Sequence, residues 1–265
     1  MNARSVYTLN TGEGDRDRLQ LLARYYNPSS MRFLRAAGVS AGQRVLDVGC
    51  GQGQIAYFLG ELVGAAGRVV GIDRGADQLA IAEANNPYPE RIHFRCGPAE
   101  QLEFARGEFD VVYCRLLLMH VADPMCVLRA MINTLVPGGL LLVETAVVSD
   151  VHFIPAPDGS ELWKEWWFAL GDAIGAAYRF PAHAPLRIRE LGLKVEHMES
   201  VQPMSFERDA KLLHILGFEQ LLPAYREHAG ASEVDIERAR RAYAASLDDE
   251  AAYVELYRML QIAAR

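Results

Sequence analysis

A chain of 265 residues, 51% apolar and 23% charged, can bury a sizeable core as one large domain or as a domain with an appended cap. Its net charge is −7, and no run of lysines or arginines tracks a phosphate backbone, which argues against nucleic acid as a partner. No apolar run approaches the roughly 20 residues of a membrane span, and Met1-Asn2-Ala3-Arg4 leads into polar residues without an apolar signal core, so the expectation is a cytoplasmic protein without a membrane partner.

Residues 1–40 read as a helical lid. Asp15-Arg16-Asp17-Arg18 opens a helix with acids in its first turn and Leu19-Gln20-Leu21-Leu22 continues it. Asn27-Pro28-Ser29-Ser30 is expected to break that helix and cap a second one ending near Gly38. From Gln43 the period changes. Strands are expected at 43–48, 67–73, 91–96, 109–114 and 139–145, with helices near 53–63, 75–84 and 124–135, the last capped by Asp123 and opened by Pro124. Nearly continuous apolar strands alternating with helices predict an α/β fold: a doubly wound, mostly parallel sheet with helices on both faces. This core spans 41–150. Residues 151–265 are expected to hold a helical cap insertion (151–183), a strand at 194–204, helices over 207–246 and a closing strand at 253–264.

The segment Val45-Leu46-Asp47-Val48-Gly49-Cys50-Gly51-Gln52-Gly53 reads as a buried strand entering a glycine loop, and Asp73 ends the next apolar strand. Loop plus distal acid is a grip for a nucleoside. The glycines admit forbidden φ values and let backbone N–H groups approach a ligand. Two templates fit. Gly51-x-Gly53-x-x-Ala56, with Asp73 twenty residues past Gly53, matches a dinucleotide fingerprint and so an NAD-dependent oxidoreductase. Gly49-x-Gly51-x-Gly53 matches the other. Asp47 would repel a pyrophosphate but welcome a cationic head. Leu135-Val136-Pro137-Gly138-Gly139 enters the fifth strand through a Pro-Gly-Gly turn. Phe109-Asp110 opens the fourth, and His120-Val121-Ala122-Asp123-Pro124 follows it.

With these motifs in view, the chain resembles the S-adenosylmethionine-dependent methyltransferases of the seven-stranded, Rossmann-like class, well over residues 15–145 and loosely beyond. The resemblance implies that Gly49, Gly51 and Gly53 wrap the methionine part of S-adenosyl-L-methionine. It implies that Asp47 holds its ammonium or orders the loop, that Asp73 takes the ribose hydroxyls, and that Arg74 and Gln78 flank the adenine. Many relatives place an aspartate before Ala-Glu after the third strand. Here Pro98 stands there, and the backbone of Ala99, with Glu100 nearby, would serve instead. Cys114 is expected to line the cofactor's path and Cys50 its loop. Cys50, Cys96, Cys114 and Cys126 form no C-x-x-C pair and read as reduced thiols, and no metal site is expected.

Methyl transfer needs nucleophile and methyl group held in line, and a base only when the nucleophile is poor. His120 is the candidate base, with a structural histidine as the alternative. Arg115 could orient an anionic acceptor or the cofactor's carboxylate. Trp163, Trp166 and Trp167 share one helical face and, with Tyr178, are read either as core or as a wall for an apolar acceptor. Tyr7 is expected to reach the site from the lid. The reading is an enzyme that methylates a small natural-product-like molecule at O, N or C. A cofactor-binding protein without catalysis is the other alternative, and assembly through the N-terminal helices is left open.

Overall fold

In a computed structural model the described residues are 15–265, so Tyr7 lies outside them. Helix α1 (Arg16–Ala36) precedes a repeating unit: β1 (Arg44–Val48), α2 (Gln54–Val63), β2 (Arg68–Asp73), α3 (Ala76–Ala84), β3 (Ile92–Cys96), β4 (Phe109–Arg115), α4 (Pro124–Thr134) and β5 (Leu135–Val147). There follow β6 (His152–Ile154), α5 (Trp163–Ile174), α6 (Ala184–Glu190), β7 (Val195–Val201), β8 (Met204–Ser205), α7 (Arg208–His228), α8 (Glu233–Asp248), β9 (Tyr253–Glu255) and β10 (Arg258–Ala264).

The main sheet has seven strands in the order β3-β2-β1-β4-β5-β10-β7. The first five are mutually parallel, and β10 runs antiparallel between β5 and β7. Alternating side chains send the strands' apolar residues to opposite faces. Leu46 and Val48 pack with Val127, Leu128 and Met131 of α4, while Val45 packs with Phe33 and Leu34 of α1 and Ile55 and Leu59 of α2. Both faces are covered, which is why the strands read as unbroken apolar runs.

Three expectations about elements are corrected. Asn27-Pro28-Ser29-Ser30 does not break the first helix: α1 continues through Pro28. The face on either side of the proline is pinned by tertiary contacts. The ring of Tyr26 stacks on Tyr257 at 4.6 Å, and Ser30 Oγ donates to Glu144 Oε2 at 2.9 Å. Those contacts outweigh one missing backbone donor. The strand expected over 194–204 is two, β7 in the main sheet and β8 in a small three-stranded sheet, β6-β9-β8. The strand expected over 253–264 divides likewise into β9 and β10, because Leu256 turns to donate its N–H to Pro203 O (2.9 Å) between them. The Pro137-Gly138-Gly139 turn lies inside β5 as an irregularity, with Phe109 opposite Leu135 but Val111 opposite Leu140.

A third apolar cluster joins α5, α7 and α8 to Leu22 and Tyr26 of α1. Helix α1 therefore packs between its own sheet and the C-terminal helices. Among the described residues, no helix is long and apolar enough to cross a membrane.

Candidate active site

Ligands in open α/β sheets bind beyond the carboxyl ends of the strands, where strand order reverses. Here that point lies between β1 and β4, and a cavity of about 430 Å³ opens there. Its wall includes Asp47, Gly49, Cys50 and Gly51 after β1, Asp73, Arg74 and Gln78 after β2, and Gly97, Ala99 and Glu100 after β3. Arg115, Leu116, Leu117, His120 and Val121 come from the β4–α4 connection, and Arg18, Leu19 and Leu22 from α1.

The glycine loop is clamped onto the end of β2. Gly49 and Cys50 both donate N–H to Ile72 O, at 2.7 and 3.1 Å. Gly49 has φ +77°, and a Cβ there would sit 3.1 Å from Leu117; Gly53 has φ +79° and would place one 2.9 Å from Phe94. Only glycine suits both positions. Asp73 accepts from Gly51 N–H through Oδ2 (2.9 Å) and from Gly75 N–H through Oδ1 (2.8 Å). Each oxygen keeps a second lone pair for a ligand hydroxyl. Asp73 is thus both loop anchor and acceptor.

Asp47 is 2% exposed, and its Oδ2 has no hydrogen-bond partner among the described residues. Burial raises its carboxyl to about 7. The Arg115 cation opposes that rise, while Asp73 and Glu144 add to it. A buried carboxylate facing a cavity without a full set of donors is a seat for a cation. The same burial, with Asp47 and Asp73 nearby, pushes the Cys50 thiol well up, so it remains a thiol. Gln78, 8% exposed, also has a buried Oε1 without a partner among the described residues.

A polar belt ties α1 to the sheet beside this seat. Arg115 Nη1 donates to Asn27 Oδ1 (2.8 Å) and Ser30 Oγ (3.2 Å). Glu144, fully buried, accepts from Ser30 Oγ, Tyr113 OH and Gln261 Nε2 at 2.9, 2.7 and 2.8 Å. His120 ends a short 3₁₀ turn, Leu118–His120, and donates its backbone N–H to Leu117 O. Burial, with the Arg18 cation, lowers its imidazole to about 3, so the ring is neutral at any working pH. Its ring lies edge-on to Tyr178 at 6.0 Å, and Tyr178 stacks on Trp167 at 3.7 Å.

Ten of the residues expected at the site therefore meet in one cavity: Asp47, Gly49, Gly51, Asp73, Arg74, Gln78, Ala99, Glu100, Arg115 and His120. Gly53 sits just behind, as the left-handed cap of α2. Cys114 does not line the path; it points into the core with Leu46 and Val143. The aromatic wall is corrected too. Trp163, Trp166 and Trp167 are buried in the cap's own core, Trp163 against His214 and Trp166 beside Phe218 and Tyr225. Three helices rich in apolar residues had to share one interior, and the tryptophans fill it. Tyr178 is buried behind His120, edge-on to its ring, and is not part of the cavity wall. The wall that does face the cavity comes from α1, and Arg18, Leu19 and Leu22 carried no motif that spacing could reveal. Among the described residues, no group of three or more His, Cys, Asp or Glu is placed to hold a metal ion.

The protein-family description "Methyltransferase domain" fits residues 39–181. The chain is 31% identical over 204 residues to a ubiquinone biosynthesis O-methyltransferase of Marinobacter nauticus, covering 71% of this chain and 82% of that protein. It is 40% identical over 131 residues to an arsenite methyltransferase of Aquipseudomonas alcaligenes; that match spans 46% of this chain and only 37% of the relative. Among solved structures, an S-adenosylmethionine-dependent methyltransferase from Mesorhizobium loti superimposes with a TM-score of 0.52 at 21% identity, over 88% of this chain and 95% of that one, a likeness of fold.

Proposed function

We propose that this chain, which belongs to the S-adenosylmethionine-dependent methyltransferases of the Rossmann-like class, transfers a methyl group to a small and largely apolar acceptor held between α1 and the β4–α4 connection. That membership sets aside both the nicotinamide-dinucleotide reading of the glycine loop and the reading as a protein without catalysis. S-adenosylmethionine supplies a methyl group on a sulfonium whose leaving group is a neutral thioether. The chain's own residues do the rest. Asp73 accepts from the ribose hydroxyls, Asp47 faces the ammonium, and Arg74 and Gln78 flank the adenine with Ala99 and Glu100 at its edge. The rest of the cavity wall, Leu19, Leu22, Leu116, Leu117 and His120, would hold the acceptor beside the bound cofactor and exclude water.

The observation that carries the reading is that one cavity joins the carboxylates of a nucleoside grip to this leucine-rich wall. The acceptor atom we favour is a hydroxyl oxygen. His120 lies on the cavity wall as a neutral imidazole, a polar group that would orient a hydroxyl there, the hydroxyl's proton passing to solvent as the methyl is transferred. Arsenic(III) is thiophilic, but Cys114 is sealed in the core and Cys50 alone of the four cysteines lines the cavity. The acidic net charge and the small site favour a small-molecule tailoring enzyme of the cytoplasm over one acting on nucleic acid.

The test is transfer of labelled methyl from S-adenosylmethionine to a panel of phenols, catechols, amines and arsenite, with products identified by mass spectrometry. Methylation of a hydroxyl, suppressed by S-adenosylhomocysteine, is expected. Methylation of arsenite with no turnover of any hydroxyl compound would overturn the choice of acceptor.

A further inference from the structure

The seven-stranded sheet ends on one side at β7, which pairs with β10 and, among the described residues, with no strand beyond it. Every residue from Glu196 to Ser200 is exposed. Two large apolar side chains stand in the open there: Met198, at 55% exposure, and Leu186 of α6, at 59%. Both line a shallow groove between α6 and β7, together with Pro185, Leu193 and Val195. An edge strand offers a row of backbone donors and acceptors to any chain laid against it, and proteins blunt such edges with prolines, bulges or repelling charges. Strand β7 contains no proline, and its one irregularity falls at its start, opposite Ala264; His197 to Val201 pairs with Met259 to Ala263 in regular register. Its charges are placed to attract as well as repel: His197 Nε2 lies 3.8 Å from Glu199 Oε2 on the same face.

We propose that β7 is an interface with a second copy of this chain, the two β7 strands pairing antiparallel about a two-fold axis through Met198 and joining two sheets into one. Symmetry selects the register. A two-fold axis perpendicular to a sheet keeps each residue on its own face, and directly opposed residues share a face. The numbers of every opposed pair must then sum to an even number, so the axis passes through a single residue. An axis at Glu196 or Glu199 sets two carboxylates against each other, and one at His197 sets two imidazoles together and Glu199 against Val195. At Ser200, Glu199 faces Val201 and Met198 faces Gln202. An axis nearer either end leaves most of the strand unpaired. Through Met198 every pair is compatible: Met198 with itself, His197 with Glu199, Glu196 with Ser200, Val195 with Val201 and Lys194 with Gln202. The histidine–glutamate pair occurs twice by symmetry, and the Met198 and Leu186 patches of the two copies meet beside the axis. One strand and one patch make a small interface, so the dimer is expected in the micromolar range. The cavity between β1 and β4 lies well away from this edge of the sheet and stays open in the dimer.

The test is analytical ultracentrifugation of the full chain from submicromolar to hundreds of micromolar. The wild type is expected to pass from the 29.4 kDa monomer to twice that mass within this range. Met198→Lys sets two like charges on the axis and should raise the dissociation constant by at least about tenfold. His197→Asp sets a carboxylate against Glu199 at two places and should do the same. Adding Glu199→Lys to His197→Asp restores opposite charges in this register, and should bring the dissociation constant back to within about threefold of the wild type. The substituted side chains are exposed, so melting temperature should hold and affinity for S-adenosylhomocysteine should stay within about twofold in all variants. A chain that stays monomeric at every concentration, a dimer indifferent to Met198→Lys, or a double variant that dimerises no better than His197→Asp alone would overturn the proposal.

Discussion

Asp47 makes cofactor affinity depend on pH in a way that can be worked out from its surroundings. The group is fully enclosed, and burial lifts its carboxyl to about 7 in the free protein. To face an ammonium it must be ionised. With a free-state value of about 7 and a bound-state value well below 6, apparent affinity for S-adenosylhomocysteine is about tenfold weaker at pH 6 than at pH 8, or about 1.4 kcal/mol. The sign for stability is the reverse of the usual carboxylate case. A folded-state value above the unfolded value of about 3.9 means that ionising Asp47 costs stability, on the order of a few kcal/mol, as pH rises from about 4 to 7. Asp47→Asn removes both effects. At pH 8 its free form should melt no lower than the wild type, yet bind S-adenosylhomocysteine about tenfold to a hundredfold more weakly, the worth of a charge-assisted contact. Its affinity should also be flat from pH 6 to 8. Calorimetry with parallel thermal melts at the two pH values measures all of this. A wild-type affinity that does not change with pH, or a slope that persists in Asp47→Asn, would refute the seat for the ammonium.

Asp73→Ala should weaken S-adenosylhomocysteine binding by at least about tenfold, because it removes the ribose acceptor and frees the N–H groups of Gly51 and Gly75; unchanged binding by calorimetry would remove Asp73 from the ribose. His120→Ala should lower kcat by more than about tenfold with cofactor affinity unchanged. Since burial and Arg18 hold this imidazole near 3, the wild-type rate should show no inflection from His120 between pH 5 and 8; equal losses of kcat and affinity in the variant would make the residue structural. Trp167→Ala should cost about 3–5 kcal/mol of stability, as a buried large-to-small change does, and leave S-adenosylhomocysteine affinity intact. A variant of full stability with weakened ligand binding would put Trp167 back in the cavity wall.

The parts of this molecule that the sequence displays are those governed by local chemistry. The glycine loop, the acid ending β2 and the apolar strands each answer to neighbours within a few residues, and the ends of the strands bring the loop and that acid to one cavity. The parts it hides are decided by contacts distant in sequence. Pro28 looks like a helix break until Tyr26 stacks on Tyr257 and Ser30 meets Glu144, 231 and 114 residues away. The tryptophans look like a binding face because a helix shows its stripe but not what it packs against, and here His214, Phe218 and Tyr225 fill the space opposite. Asp15 and Arg18 read as ordinary charges of a first helical turn; only the packing of α1 on α7 shows one to be a buried counter-ion and the other a cavity residue.

The structure of the complex with S-adenosylhomocysteine tests the central claim most directly. The ribose hydroxyls are expected on the Asp73 carboxylate, the ammonium beside Asp47, and the sulfur open toward Leu19, Leu22 and His120. A ligand bound outside this cavity, or a sulfur turned away from α1 and the β4–α4 connection, would contradict it.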